Sequence, residues 1–216
     1  MLYGLVRLVI WGCIFAGAYY WIVNKSKIIK KKIIVVISLV LCLIIGTFSN
    51  LIPVENLFIS FKTPESVLWY FQGGKVVDVV HGNESSMVIS WNKRNSSINP
   101  FVVPRSTNGY KIPSVFSVRI IFCESVANGL IDTIYSVLGS NDYYFIGSAF
   151  SDKEVSIIDS NGKDVQLISE WFFDSYSILF FGYIESLEND YYLLIDGEKE
   201  EIVVAGSLVF QSGSIR

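Results

Sequence analysis

Two long apolar runs open the chain, and a different pattern follows them. Residues 2–23 carry one charge, Arg7, and residues 33–52 carry none. About 20 apolar residues in a helix cross a hydrocarbon core of ~30 Å, so both runs predict transmembrane helices. Residues 24–32 between them read Asn-Lys-Ser-Lys-Ile-Ile-Lys-Lys-Lys. The lysines Lys25, Lys27, Lys30, Lys31 and Lys32 retain this loop in the cytoplasm under the positive-inside rule. A link this short predicts a two-helix hairpin with both ends facing outward. Residues 53–216 then form an extracytoplasmic domain. A rival reading drops the first run and makes residues 33–52 a signal anchor; the lysines still stay inside. A cleaved signal is disfavoured because no A-x-A-like site follows Leu51, and a lipoprotein signal because Leu41 precedes Cys42.

Arg7 is costly at mid-bilayer, so it is expected near the outer helix end, snorkelling to the headgroups beside Tyr3. The alternative is a contact with a partner protein. Tyr19, Tyr20 and Trp21 mark the opposite interface. Gly12 with Ala16, and Cys13 with Gly17, offer small faces on which the two helices can pack.

After Pro53 the pattern changes to short β-rich segments. Thr63-Pro64-Glu65-Ser66 reads as a helix start, with Thr63 as N-cap, Pro64 in the first turn and Gly73-Gly74 as the stop. Strands are predicted at 76–80, 87–91, 101–103, 115–122, 132–138, 143–150, 155–158, 165–168, 178–184, 191–195 and 201–204. Asn161-Gly162 and Asp196-Gly197 each accept the positive φ of a tight hairpin turn. The expected fold is a membrane-anchored α+β chain. A transmembrane hairpin precedes a mainly antiparallel β domain with one short helix, built as a sheet, sandwich or partly closed barrel. An echo, Asn141-Asp142-Tyr143-Tyr144 against Asn189-Asp190-Tyr191-Tyr192, raises a duplication as one reading and two tyrosine-rich strands as the other.

Composition sharpens this division. Hydrophobic residues make up 51% and charged residues 17%, below the quarter usual for soluble domains. The six basic residues before position 53 face no acidic one, whereas all 20 acidic residues follow it. The acidic outer part argues against nucleic acid as a partner. Three cysteines are too few for a disulfide scaffold. The Ile, Lys, Asn and Tyr bias is of the kind AT-rich bacterial genomes produce.

The catalytic inventory is poor. One histidine, His81, excludes a site with two histidine ligands in one subunit, and no Gly-x-Ser-x-Gly elbow or phosphate-binding glycine loop occurs. His81 paired with Cys123 or a serine is the sharper reading; a turn histidine and a core cysteine are the plainer ones. Asp159, Asn161 and Asp164 offer calcium-like oxygens, but the glycine is misplaced for an EF-hand loop. Glu198, Glu200 and Glu201 read as a solvated sheet edge. Asn83 and Asn95 begin glycosylation acceptor triplets, which matter only in a eukaryotic secretory route. Trp69, Trp91, Trp171, Tyr143, Tyr144, Tyr191 and Tyr192 either pack a sheet or line a ligand surface.

No catalytic residue, cofactor or metal is expected. The reading is a multi-pass cell-membrane protein whose outer domain binds a protein or envelope ligand. The alternative is a cell-envelope hydrolase using a carboxylate pair, a separation that sequence does not reveal. A stand-alone receptor is disfavoured, because the cytoplasmic segment is about nine residues, too short for a signalling domain.

Overall fold

The structure is a computed structural model. It describes residues 2–25, 31–49, 53–92, 97–114, 116–125, 131–150, 155–162, 165–172, 175–185, 187 and 191–209. Helices α1 (Leu2–Lys25) and α2 (Lys31–Ser49) come first. A 3-10 turn (Val54–Leu57) and helix α3 (Pro64–Phe71) follow, and then twelve antiparallel strands. The fold is mixed α and β, with antiparallel sheets and an apolar N-terminal helix.

The second predicted span is not supported. By length and composition, Tyr3–Ile22 in α1 is the one stretch among the described residues that can cross a membrane. The apolar stretch of α2, Ile33–Gly46, is too short for one. Helix α2 is described from Lys31 to Ser49, and residues 50–52 of the predicted run lie outside the described residues. The rival reading discarded the first run, and that is the run that qualifies. The helices do touch: a Cβ on Gly46 would meet the Trp11 ring at 3.8 Å, early in α1 against late in α2, so they run antiparallel. The small residue at this contact is Gly46. Gly12 and Gly17 face open space.

The four-stranded sheet is a meander of β1 (Lys75–His81), β2 (Ser85–Asn92), β3 (Ser97–Ser106) and β4 (Gly109–Tyr110). The larger sheet contains β5 (Val118–Ser125), β6 (Ile131–Val137), β7 (Tyr143–Phe150) and β8 (Ile157–Asp159). It also contains β9 (Gln166–Phe172), β10 (Ser175–Ile184), β11 (Tyr192–Ile195) and β12 (Glu198–Val209). Its order is β8-β11-β12-β5-β6-β7-β10-β9.

Strand periodicity builds the layers. Val88, Phe101 and Val103 turn toward Val67 and Leu68 of α3. Their neighbours Met87, Ile89 and Val102 turn the other way, onto Val118, Tyr144 and Phe181 of the large sheet. Residues 85–90 of β2 are therefore all buried, as expected of a strand covered on both faces. The large sheet alternates likewise. Tyr144 and Phe181 face the small sheet, while Phe145 and Phe180 face a second core with Ile121, Ile134, Ile157 and Leu193.

That second core lies inside a curled sheet. In a flat sheet β8 and β9 would stand seven strand spacings apart, about 34 Å. The chain from Asp159 to Gln166 reaches at most about 25 Å. The ends are drawn together, and the Val165 N–H donates to the Ile157 carbonyl at 3.0 Å. The Asn161-Gly162 turn sits here. Gly162 has φ +75°, but Asn161 is not left-handed, and β8 and β9 form no ladder. The expected hairpin is thus corrected to a wider turn in which Asp159 accepts the N–H of both Asn161 (2.9 Å) and Gly162 (2.9 Å). Asp196-Gly197 behaves as expected, with φ 51° and 86° closing Ile195 onto Glu198. The carboxylates after it, Glu198, Glu200 and Glu201, pair with β11 on one side, and β5 joins β12 only from Ile202 onward, so among the described residues no strand pairs with them on the other side, in keeping with a solvated edge.

One carboxylate ties the two sheets. Asp142, 1% exposed, accepts from the backbone N–H of Asn83 (3.1 Å) and Glu84 (2.7 Å), from Ser85 Oγ (2.7 Å) and from Tyr183 Oη (2.9 Å). The first three donors lie at the β1–β2 turn and Tyr183 lies on β10. Gly82 lets this turn approach, since a Cβ there would strike Tyr144 Oη and reach Asp142 Oδ2 at 2.7 Å. Burial, and then the hydrogen bond and charge of Asp142, push the Tyr183 phenol up to about 12.

Asp142→Ala should destabilise the protein by roughly 3 kcal/mol, because one buried and three part-buried donors lose their acceptor together. Denaturant unfolding of the full chain in mild detergent measures this. A raised phenol pKa favours the folded state while protonated. This contribution should therefore be complete below pH 10 and disappear as pH rises to about 12. Ultraviolet difference titration of the parent against Tyr183→Phe checks the assignment.

Candidate functional site at the helix–sheet juncture

The densest polar arrangement outside the sheets joins α1 to the β part of the chain. Arg7 Nε donates to Glu55 Oε1 at 2.9 Å and Nη2 donates to Oε2 at 2.7 Å, a two-point pairing that matches guanidinium and carboxylate geometry. The residues are 5% and 6% exposed. The Arg7 guanidinium also lies 4.3 Å from the centre of the Tyr3 ring. Arg7 therefore neither snorkels freely nor needs a partner protein; it pairs within its own chain. Burial alone would raise the Glu55 carboxyl, but the hydrogen bonds and charge of Arg7, with a backbone N–H, hold it below its ordinary value.

Further bonds clamp the segment after α2. Asn56 Nδ2 donates to the Ile112 carbonyl at 2.7 Å, and the Ile112 N–H returns a bond to Oδ1 at 2.9 Å. Lys111 Nζ donates to the carbonyls of Asn56 (2.8 Å) and Ile59 (3.0 Å) and to Ser60 Oγ (2.9 Å). Phe61 and Tyr110 exchange backbone bonds at 3.0 and 2.8 Å. On the far side of Arg7, Tyr3 packs against Tyr70 and Phe71 of α3, with ring centres 5.8 and 4.9 Å apart. Helix α3 is set by the expected signals. The Thr63 hydroxyl accepts the Ser66 N–H at 3.4 Å, and Gly73, at φ +72°, ends the helix with its N–H on the Leu68 carbonyl.

The residues singled out in the sequence are dispersed. Lys25 closes α1 and Lys31 and Lys32 open α2; Lys27 and Lys30 lie outside the described residues. Asn161 and Gly162 lie at the β8 end of the large sheet, and Asp196 and Gly197 at the tip joining β11 to β12. Tyr144 and Tyr191 are buried, whereas Tyr143 and Tyr192 are half-buried. The two Asp-Tyr-Tyr copies thus bury opposite tyrosines, a one-residue change of phase that removes the support for a duplicated unit. Lys199 lies 4.6 Å from the centre of the Tyr192 ring.

His81 is exposed, with Nδ1 3.0 Å from the buried Ser86 Oγ across the β1–β2 ladder, so that hydroxyl is closed to a substrate. The Asn83 amide of the first glycosylation triplet donates to Tyr183 Oη at 3.0 Å. Asn95 and the side chains of Cys123 and Trp171 lie outside the described residues. Among the described residues no group of three metal-ligating side chains occurs.

Glu55, Asn56 and Lys111 were not singled out in the sequence. Glu55 had a signal: it is the first acidic residue of the chain, three positions after an apolar run, and Arg7 needed a counter-charge. Comparison with protein-family profiles, characterised proteins and solved structures finds no match to this chain.

Arg7→Met or Glu55→Leu alone should cost about 3–5 kcal/mol, because each strands a buried partner. The double variant Arg7→Met/Glu55→Leu should recover most of that, and a double-mutant cycle of unfolding free energies reads the coupling. The Glu55 carboxyl is depressed, so its contribution should be present above pH 4.5 and be lost as pH falls below it. The double variant should lose that acid limb.

Proposed function

We propose that this chain is a membrane-anchored, non-catalytic binding protein of the bacterial cell envelope. Its α1–α2 hairpin is embedded in the cell membrane, the lysine loop stays inside, and the β part is displayed outside. The observation that carries this reading is the juncture. Arg7 near the start of α1 and Glu55 just after α2 meet at one end of the helix pair. The segment after α2 is held by Asn56 and Lys111 instead of leaving as a free tether. A catalytic domain working on a soluble substrate gains nothing from a fixed posture. A module that meets a partner beside it in the membrane plane needs one, because rigid presentation reduces the ordering lost on binding.

Away from the juncture, exposed Phe116 and Leu138 mark a contact point. The Leu138 N–H donates to the Ser117 carbonyl at 2.9 Å, so Leu138 and Phe116, the residue before Ser117, lie on neighbouring backbone segments. They replace the buried Tyr144 and Tyr191 as residues able to touch a protein or envelope ligand.

In intact cells, a membrane-impermeant thiol reagent should label Glu198→Cys, placed in a chain without native cysteines, before lysis. Labelling only after lysis would reverse the orientation. Phe116→Ser/Leu138→Ser should reduce cross-linked partner recovery without changing the unfolding midpoint. Turnover of cell-wall material by the full chain in detergent, abolished by one Asp or Glu substitution, would replace binding with catalysis.

A further inference from the structure

The juncture leaves α1 short. Tyr3 and Arg7 are taken into the protein, at 8% and 5% exposure, so the β part covers the inner face of the first two turns. From residue 8 to Ile22, α1 is about 22 Å long at 1.5 Å per residue. The hydrocarbon core is ~30 Å thick. A missing length of this size has to be met by a thinner bilayer or by other apolar surface at the helix ends.

Apolar surface of this kind flanks the first turns of α1. Leu57 and Phe58, two and three residues beyond Glu55, are 79% and 87% exposed, and Val54 before it is also exposed. On α3, Trp69 is 66% exposed beside Tyr70, whose ring packs on Tyr3. Soluble surfaces carry single exposed apolar residues, but Leu57 and Phe58 are adjacent and their segment is tied to α1 by the Arg7–Glu55 pair. On α1 itself Leu5 and Leu8 are exposed at the same level.

We propose that Val54, Leu57, Phe58 and Trp69 form an apolar collar that sits at the headgroup–acyl boundary of the outer leaflet and completes the membrane thickness α1 lacks. The inference rests on the membrane-anchored reading above. The occupant is lipid, because the segment carrying Val54, Leu57 and Phe58 is tied through Glu55 to the start of α1, where Leu5 and Leu8 are exposed apolar residues too. Trp is enriched at this depth for its amphipathic ring. The Arg7–Glu55 pair then lies beneath the protein at the boundary, where the alternative for an unpaired arginine is costly.

The test reconstitutes the full chain, with native cysteines replaced, into phosphatidylcholine–phosphatidylglycerol vesicles. Single cysteines at Ile14→Cys, Phe58→Cys, Trp69→Cys and Glu198→Cys carry an environment-sensitive fluorophore, and lipids with shallow or deep nitroxides quench it. Phe58, Trp69 and Glu198 are exposed, so substitution there removes no core packing. The expected result is strong deep quenching at Ile14. Shallow quenching at positions 58 and 69 should exceed that at position 198 by about threefold or more, as for side chains held at the interface. Deep quenching at Ile14 with positions 58 and 69 no more quenched than 198 would overturn the collar and leave the anchor standing. No quenching at Ile14 would remove the anchor, and the collar with it.

Discussion

An arginine in an apolar helix must find a counter-charge, and the way Arg7 does so organises the molecule. Taking two charges out of water costs several kcal/mol per ion, and the cost is offset only when geometry is good and the groups are hydrogen-bonded. The two-point contact with Glu55 supplies both. Its partner is 48 residues away in sequence, so the pair sets where the end of α2 lies relative to the start of α1. Tyr3, Asn56 and Lys111 then act on a geometry already restricted, and together they remove the free tether that would otherwise join the two N-terminal helices to the sheets.

Beyond the juncture, stability depends on strands that serve two cores at once. In β7 and β10, successive aromatic residues alternate between the interface with the small sheet and the interior of the curled large sheet. The Asp142 carboxylate stands at the rim where those layers meet and gathers donors from both sheets. The interface is thereby fixed in register as well as held by apolar contact, since a carboxylate with four donors has one arrangement that satisfies them all.

Local signals were legible in the sequence and distant ones were not. Thr63, Pro64 and Gly73 bounded α3, and the strand at 143–150 coincides with β7, because caps and period-two alternation are encoded by neighbours. Two-residue β4 has no period to detect. Asn161-Gly162 announced a turn, and Gly162 is left-handed there. The strands on either side pair elsewhere, because sheet order depends on residues far along the chain. Tyr191 and Tyr144 looked alike in composition to surface rings; strand phase decided their burial. The apolar run at 33–52 located α2, but among the described residues its apolar stretch, Ile33–Gly46, is shorter than a membrane span. At the juncture, Arg7 advertised a missing partner and Glu55 stood out as the first acidic residue after the apolar runs, but the pairing across 48 positions is a tertiary fact that neither residue's neighbours encode.

The position of β12 has a consequence for how the chain is made. Among the described residues, β12 is the strand that joins the β8–β11 pair to β5 in the order of the large sheet. Until it is synthesised, β5 and β11 each present an open edge, and the second core lacks its enclosing wall. The small sheet has all its strands by Tyr110 and can form during elongation. The large sheet must wait for Glu198–Val209 and then close over long sequence separations, which is slow. Early release of the nascent chain would therefore yield a formed small sheet joined to sticky, unpaired strands, a species suited to capture by chaperones and proteases.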